Sequence, residues 1–178
     1  MHEDIQEVLI EDTAVQEKVK ELAAKISQDY EGKDLLFVCI LKGSFIFCSD
    51  LSRKMSIPVA LDFMAVSSYR DSAVSSGAVM IIKDLDSNIA GKHVLIIEDI
   101  VDTGLTLKYL LENLKARQPL SVEVCTLLDK PERRKVDVDV KYNGFKVPDV
   151  FIVGYGLDYQ ERYRQLPDVC VLKPEIYL

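Results

Sequence analysis

Glu98, Asp99 and Asp102 put three carboxylates within five residues, and Thr103, Gly104, Leu105 and Thr106 follow at once. The second half of that stretch suits an anion. Unpaired amides and partial positive charge at a helix start, a glycine that allows close backbone approach, and two hydroxyls make a phosphate cradle that needs no lysine. The carboxylates would repel a bare anion. They suit a ligand that also presents hydroxyls, a cation or a transferable proton. A sugar phosphate accompanied by Mg²⁺ meets all these demands, because carboxylate oxygens are hard ligands for that ion.

These residues need elements to hold them. Residues 94–97 form an apolar run that reads as a strand, so Glu98 and Asp99 fall at its carboxyl end, the rim where open α/β sheets bind ligands. Neighbouring strand residues point to opposite faces, so one carboxylate can meet the ligand directly while the other acts from behind or through a metal. The spacing predicts a helix over residues 103–116, with Leu107, Leu110, Leu111 and Leu114 on one face and Pro119 as the stop. Asp102 can cap that helix as well as do chemistry. The acidic strand is also similar to that of nucleoside triphosphatases, but the G-x-x-x-x-G-K-[ST] loop they need is absent.

Elsewhere, apolar spacing at Val15, Val19, Leu22, Ala23 and Ile26 predicts a helix over 14–30, capped by Thr13 and ended near Gly32. "DLLFVCI", "PVALDFMAV", "VMIIK", "SVEVCTLLD" and "DVFIVGYG" read as strands, and "FIFCSDLSRKM" as a short helix. Strands alternating with helices imply an α/β fold with a mostly parallel sheet, in a single domain over 1–178. Residues 67–78 are serine-rich and polar, and are expected to form a long mobile loop.

The 178 residues carry 22 Lys and Arg against 29 Asp and Glu, a formal charge of −7, which argues against a nucleic-acid surface. The longest apolar run, "LLFVCIL", is too short to span a bilayer. Cys39, Cys48, Cys125 and Cys170 form no C-x-x-C pair and are expected to be buried thiols of a reducing compartment, so the chain is read as cytoplasmic. His2 and His93 are the only histidines, and neither is placed to serve a Ser-His-Asp or Cys-His centre.

"VLIIEDIVDTGLTL" closely resembles the phosphoribosyl pyrophosphate motif of the type I phosphoribosyltransferases. "LKGSFIF" resembles the pyrophosphate loop of their hypoxanthine-guanine branch. "SSY" resembles its mobile catalytic loop, through Ser68 and Tyr69. "LLDK" and "FIVGYGLDYQERYRQL" resemble its purine region. The likeness covers nearly the whole chain and is strongest to the short bacterial form.

It implies a twisted sheet flanked by helices, with a small hood formed by the termini. It further implies transfer of 5-phosphoribosyl from phosphoribosyl pyrophosphate to hypoxanthine or guanine, with Mg²⁺, in a homodimer or homotetramer. By resemblance Glu98 and Asp99 hold the ribose, and the Asp102, Thr103, Gly104, Leu105 and Thr106 segment holds the 5′-phosphate. Leu105 stands where some relatives carry a basic residue. Asp102 is the expected general base. Lys42, Gly43 and Arg164 take pyrophosphate, in a loop where the family uses a cis peptide. Lys130, Phe151, Ile152 and Asp158 take the purine, with Lys130 reading the 6-oxygen. Glu98, Asp99 and Asp158 are the expected metal ligands. A second reading is an RNA-binding regulator that uses the same phosphoribosyl site as a sensor. It would need a local basic surface and would show salt-dependent RNA binding without purine turnover.

Overall fold

The computed structural model describes residues 2–68 and 79–178. Of the expected mobile loop, Tyr69 and the rest of 69–78 lie outside the described residues. Ser67 and Ser68 end a strand instead.

Six strands form the main sheet. They are β2 (Leu35–Leu41), β3 (Ala60–Ser68), β4 (Val79–Lys83), β5 (His93–Val101), β6 (Ser121–Asp129) and β7 (Tyr142–Lys146), in the order β4-β3-β2-β5-β6-β7. All neighbours run parallel except the β3–β4 pair at one edge. Strands β2, β5 and β6 are apolar without alternation because both faces of the sheet are covered. Leu35, Phe37, Cys39, Leu95 and Ile97 pack beneath helices α1 (Asp12–Asp29) and α2 (Phe45–Arg53). Leu36, Val38, Ile40, Val94 and Ile96 pack against Leu107, Leu110 and Leu114 of helix α3 (Leu105–Lys115), on the opposite face.

A second sheet pairs β1 (Ile5–Ile10), β9 (Val169–Leu172) and β8 (Ile152–Val153), with Ile5 opposite Leu172. It joins the two chain ends into the expected hood. Helix α4 (Pro174–Tyr177) follows it.

Three boundaries differ from expectation. Helix α1 begins at Asp12 and takes no side-chain cap from its own start; the Asp12 amide instead donates to Asp168 Oδ1 at 2.8 Å. The strand expected over 149–156 shrinks to two residues, because Gly154 and Tyr155 turn into positive φ, +93° and +49°. Helix α3 starts at Leu105, with Gly104 at φ +83° in the N-cap position.

Candidate active site

Strand β5 lies between β2 and β6, so its carboxyl end is central, and three cavities meet there. The pleat separates the paired acids. Glu98, 9% exposed, lines a small cavity of about 100 Å³ beside Thr103, Gly104 and Thr106. Asp99 lines a cavity of about 440 Å³ shared with Lys42, Gly43, Asp158, Glu161 and Arg164. Burial and the neighbouring Asp99 push the Glu98 carboxyl well above the usual range. Burial also lifts Asp99, to about 6, against the pull of the Ile100 amide, which donates to Oδ1 at 2.7 Å.

The small cavity sits at the start of α3. Gly104 is required there twice over. Its φ of +83° disfavours a side chain, and an added Cβ would press within 3.1–3.3 Å of Arg134, Val136 and Val138. Segment 130–135 is laced to this loop, with the Lys130 amide on the Val101 carbonyl and the Lys135 amide on the Thr103 carbonyl, both at 2.9 Å. The Thr103 hydroxyl accepts from the Leu105 amide at 3.4 Å. Leu105 itself is exposed and does not line the cavity. Asp102 does not cap the helix; its Oδ1 accepts from Arg133 Nε at 2.9 Å.

Asp102 also borders the third cavity, about 350 Å³, together with Lys130, Arg133, Asp149, Phe151 and Tyr177. Lys130 Nζ donates to the Val150 carbonyl at 2.6 Å and lies 3.7 Å from Asp149. Phe151 stacks on Tyr177, with ring centres 4.6 Å apart and planes 25° from parallel. The Ile152 side chain is buried in the core, which leaves its backbone as the group it can offer. Asp158, expected among the purine residues, does not line this cavity. Its carboxylate holds Arg164 Nη2 at 3.1 Å and accepts the Glu161 amide at 2.8 Å, in the larger cavity.

That larger cavity gathers the expected pyrophosphate residues. The Leu41–Lys42 peptide is cis. Gly43 lies so near Asp99 that an added Cβ would overlap its carboxylate. The Tyr155 and Gly156 amides bond the Leu166 and Arg164 carbonyls, which folds the 155–166 segment back and brings Arg164 to the wall. Arg164 Nη1 donates to the Gly156 carbonyl at 2.8 Å, while its buried Nε has no partner.

The expected metal trio is not gathered. Among the described residues no three Asp, Glu, His or Cys side chains converge to hold a metal. Glu98 faces the other way from Asp99 because adjacent strand residues alternate. Asp99 and Asp158 do share one cavity. That donor set fits Mg²⁺, which usually takes one or two carboxylates and completes its shell with water and substrate oxygens. The sequence reading missed Arg133, Asp149, Glu161 and Tyr177. Arg133 sits in a charged run that reads as solvated, and the rest carry no spacing signal.

The phosphoribosyl transferase domain family matches residues 9–160. A curated hypoxanthine-guanine phosphoribosyltransferase of Staphylococcus aureus is 54% identical over 177 residues, covering 99% of both chains. The crystal structure of a Staphylococcus aureus hypoxanthine phosphoribosyltransferase superposes with a TM-score of 0.96 at 53% identity, covering 100% of this chain and 97% of that one. A Trypanosoma cruzi hypoxanthine phosphoribosyl transferase reaches 0.94 at 40% identity, covering 99% and 96%. With a family match over most of its length and full-length relatives above half identity, this chain belongs to the phosphoribosyltransferase family.

Proposed function

We infer that this enzyme salvages purines by transferring 5-phosphoribosyl from phosphoribosyl pyrophosphate to hypoxanthine or guanine, giving IMP or GMP and pyrophosphate. The observation that carries the reading is the position of Asp102. It borders both the cavity at the start of α3 and the cavity holding Lys130 and Phe151. A single ligand spanning the two would have its phosphate on one side of that carboxylate and its base on the other.

Each cavity then has a task. The amides and hydroxyls of 103–106 hold the 5′-phosphate. Glu98 and Asp99 stand at the ribose, where negative charge favours an oxocarbenium-like transition state. The purine slides against Phe151. Lys130 donates to its 6-oxygen, a bond that the amino group of adenine cannot accept. Asp102 takes the proton from the attacking ring nitrogen, and the Arg133 ion pair yields as it does so. Lys42, Gly43 and Arg164 receive the diphosphate, and the unspent Arg164 Nε is a donor in reserve. Asp99 and Asp158 would hold Mg²⁺, which would supply positive charge for the leaving pyrophosphate.

A Mg²⁺-dependent assay with phosphoribosyl pyrophosphate and either base tests this directly. IMP or GMP should form. Failure to form either nucleotide overturns the reading.

The chain also self-associates in this proposal. Leu61 and Phe63 on β3, and Met80 and Ile82 on β4, are 45%, 37%, 51% and 65% exposed on the edge pair of the sheet. Large apolar side chains clustered at a surface mark an interface. The four cysteines are free, as suits a reducing cytoplasm. Among the described residues no helix is long and apolar enough to cross a membrane.

A further inference from the structure

The two cations of the cavity that holds Asp99 are already engaged by one carboxylate. Glu161 Oε1 lies 3.1 Å from Lys42 Nζ and 3.4 Å from Arg164 Nη2. Those residues come from separate segments, Lys42 from just past the end of β2 and Arg164 from the folded-back 155–166 segment. Glu161 is held in place by its own backbone. Its amide donates to Asp158 Oδ2 at 2.8 Å, and Gln160 and Glu161 sit at φ +51° and +62°. Side chains larger than glycine occupy that region at a cost, so the surrounding bonds fix it. The contacts with Lys42 and Arg164 hold the Glu161 carboxyl below its usual range.

A diphosphate needs the same two cations. We propose that Glu161 is an internal competitor for pyrophosphate: its carboxylate bridges Lys42 and Arg164 in the free enzyme and must give them up when the diphosphate arrives. This rests on the reading of Lys42 and Arg164 as the pyrophosphate residues. Two anions cannot share one fork and one ammonium without repulsion, so every contact the diphosphate makes is measured against the one it replaces. Glu161 thereby sets how tightly phosphoribosyl pyrophosphate is held and how readily product pyrophosphate departs. It touches the binding cations, not the reacting atoms, and is a positioning residue.

Exposed ion pairs are individually weak, so the effect is modest. Glu161→Gln keeps the shape and removes the charge. Pyrophosphate, added with Mg²⁺ as a product inhibitor, should bind about three- to tenfold more tightly to this variant. The KM for phosphoribosyl pyrophosphate should fall in parallel, while the KM for hypoxanthine stays put. Glu161→Asp, which keeps the charge on a shorter arm, should lie between the two. Unchanged or weaker inhibition by pyrophosphate overturns the proposal, since a residue that merely holds Lys42 and Arg164 in place would weaken binding when lost. Arg164→Met separates this failure from failure of the underlying reading. If Arg164→Met leaves pyrophosphate inhibition intact, the cavity assignment itself falls and the proposal falls with it. If Arg164→Met weakens inhibition while Glu161→Gln does not tighten it, only the competitor role is lost.

Discussion

Asp102 stands at the junction of two cavities with its carboxylate on Arg133 and no helix-capping bond. Its replacement therefore isolates proton transfer. Asp102→Asn should lower kcat by roughly 10²–10⁴-fold while the KM for phosphoribosyl pyrophosphate changes little. A turnover rate equal to that of the unaltered enzyme would remove Asp102 as the base. Asp99 gives a second prediction at this scale. Its carboxyl is raised to about 6, so in the free enzyme its contribution to stability is present when protonated and lost as pH rises through that value. A bound cation favours the carboxylate instead. The KM for phosphoribosyl pyrophosphate with Mg²⁺ should therefore climb as pH falls below about 6, and Asp99→Asn should flatten that dependence. A profile that is flat in both proteins would count against Asp99 as a cation ligand. Residues of the 98–106 stretch were legible because one short segment holds acid, hydroxyl and glycine together. Arg133, Glu161 and Tyr177 were not, since each reaches the site from a separate turn or helix.

Among the elements, the link from β3 to the approach of β5 depends on one buried acid. Asp62, 3% exposed, accepts the amides of Phe63 at 2.8 Å, Asp86 at 3.0 Å and Ser87 at 2.9 Å. Burial alone would raise this carboxyl, but the main-chain bonds outweigh it and hold it below the ordinary value. Its contribution is present at neutral pH and lost as pH falls through the depressed value. Asp62→Ala strands three amides and should cost roughly 1–3 kcal/mol, read as a lowered denaturant midpoint. A midpoint within error of the parent would show that water replaces the carboxylate. The strong local signals here were β2, β5, β6 and the buried face of α1, where apolar runs or helical spacing dominate. β1 was not foreseen as a strand, because its residues alternate weakly and it is completed only by β9. The start of α1 was misplaced for a similar reason. Thr13 looked like its cap, whereas the bond comes from Asp168 at the other end of the chain.

At the scale of the whole molecule, the edge formed by β3 and β4 makes the self-association proposal measurable. Ile82→Lys puts charge on its most exposed apolar position, 65% exposed, outside the core clusters and at the wall of the cavity that holds Asp99. Sedimentation should show that variant shifted toward single chains, with the melting temperature lowered only as far as the lost partner requires. An unchanged mass would move the interface elsewhere. The hood carries a different consequence, one of timing. Ile5 meets Leu172 only after nearly all of the intervening chain has been made, while β2, β5 and β6 can assemble from nearer neighbours. Closing so long a loop is slow relative to local contacts. During refolding from denaturant, amides of the central sheet should gain protection from exchange before catalysis returns. The enzyme would then pass through a stage that is built but not yet competent, ended when its first strand finds its last.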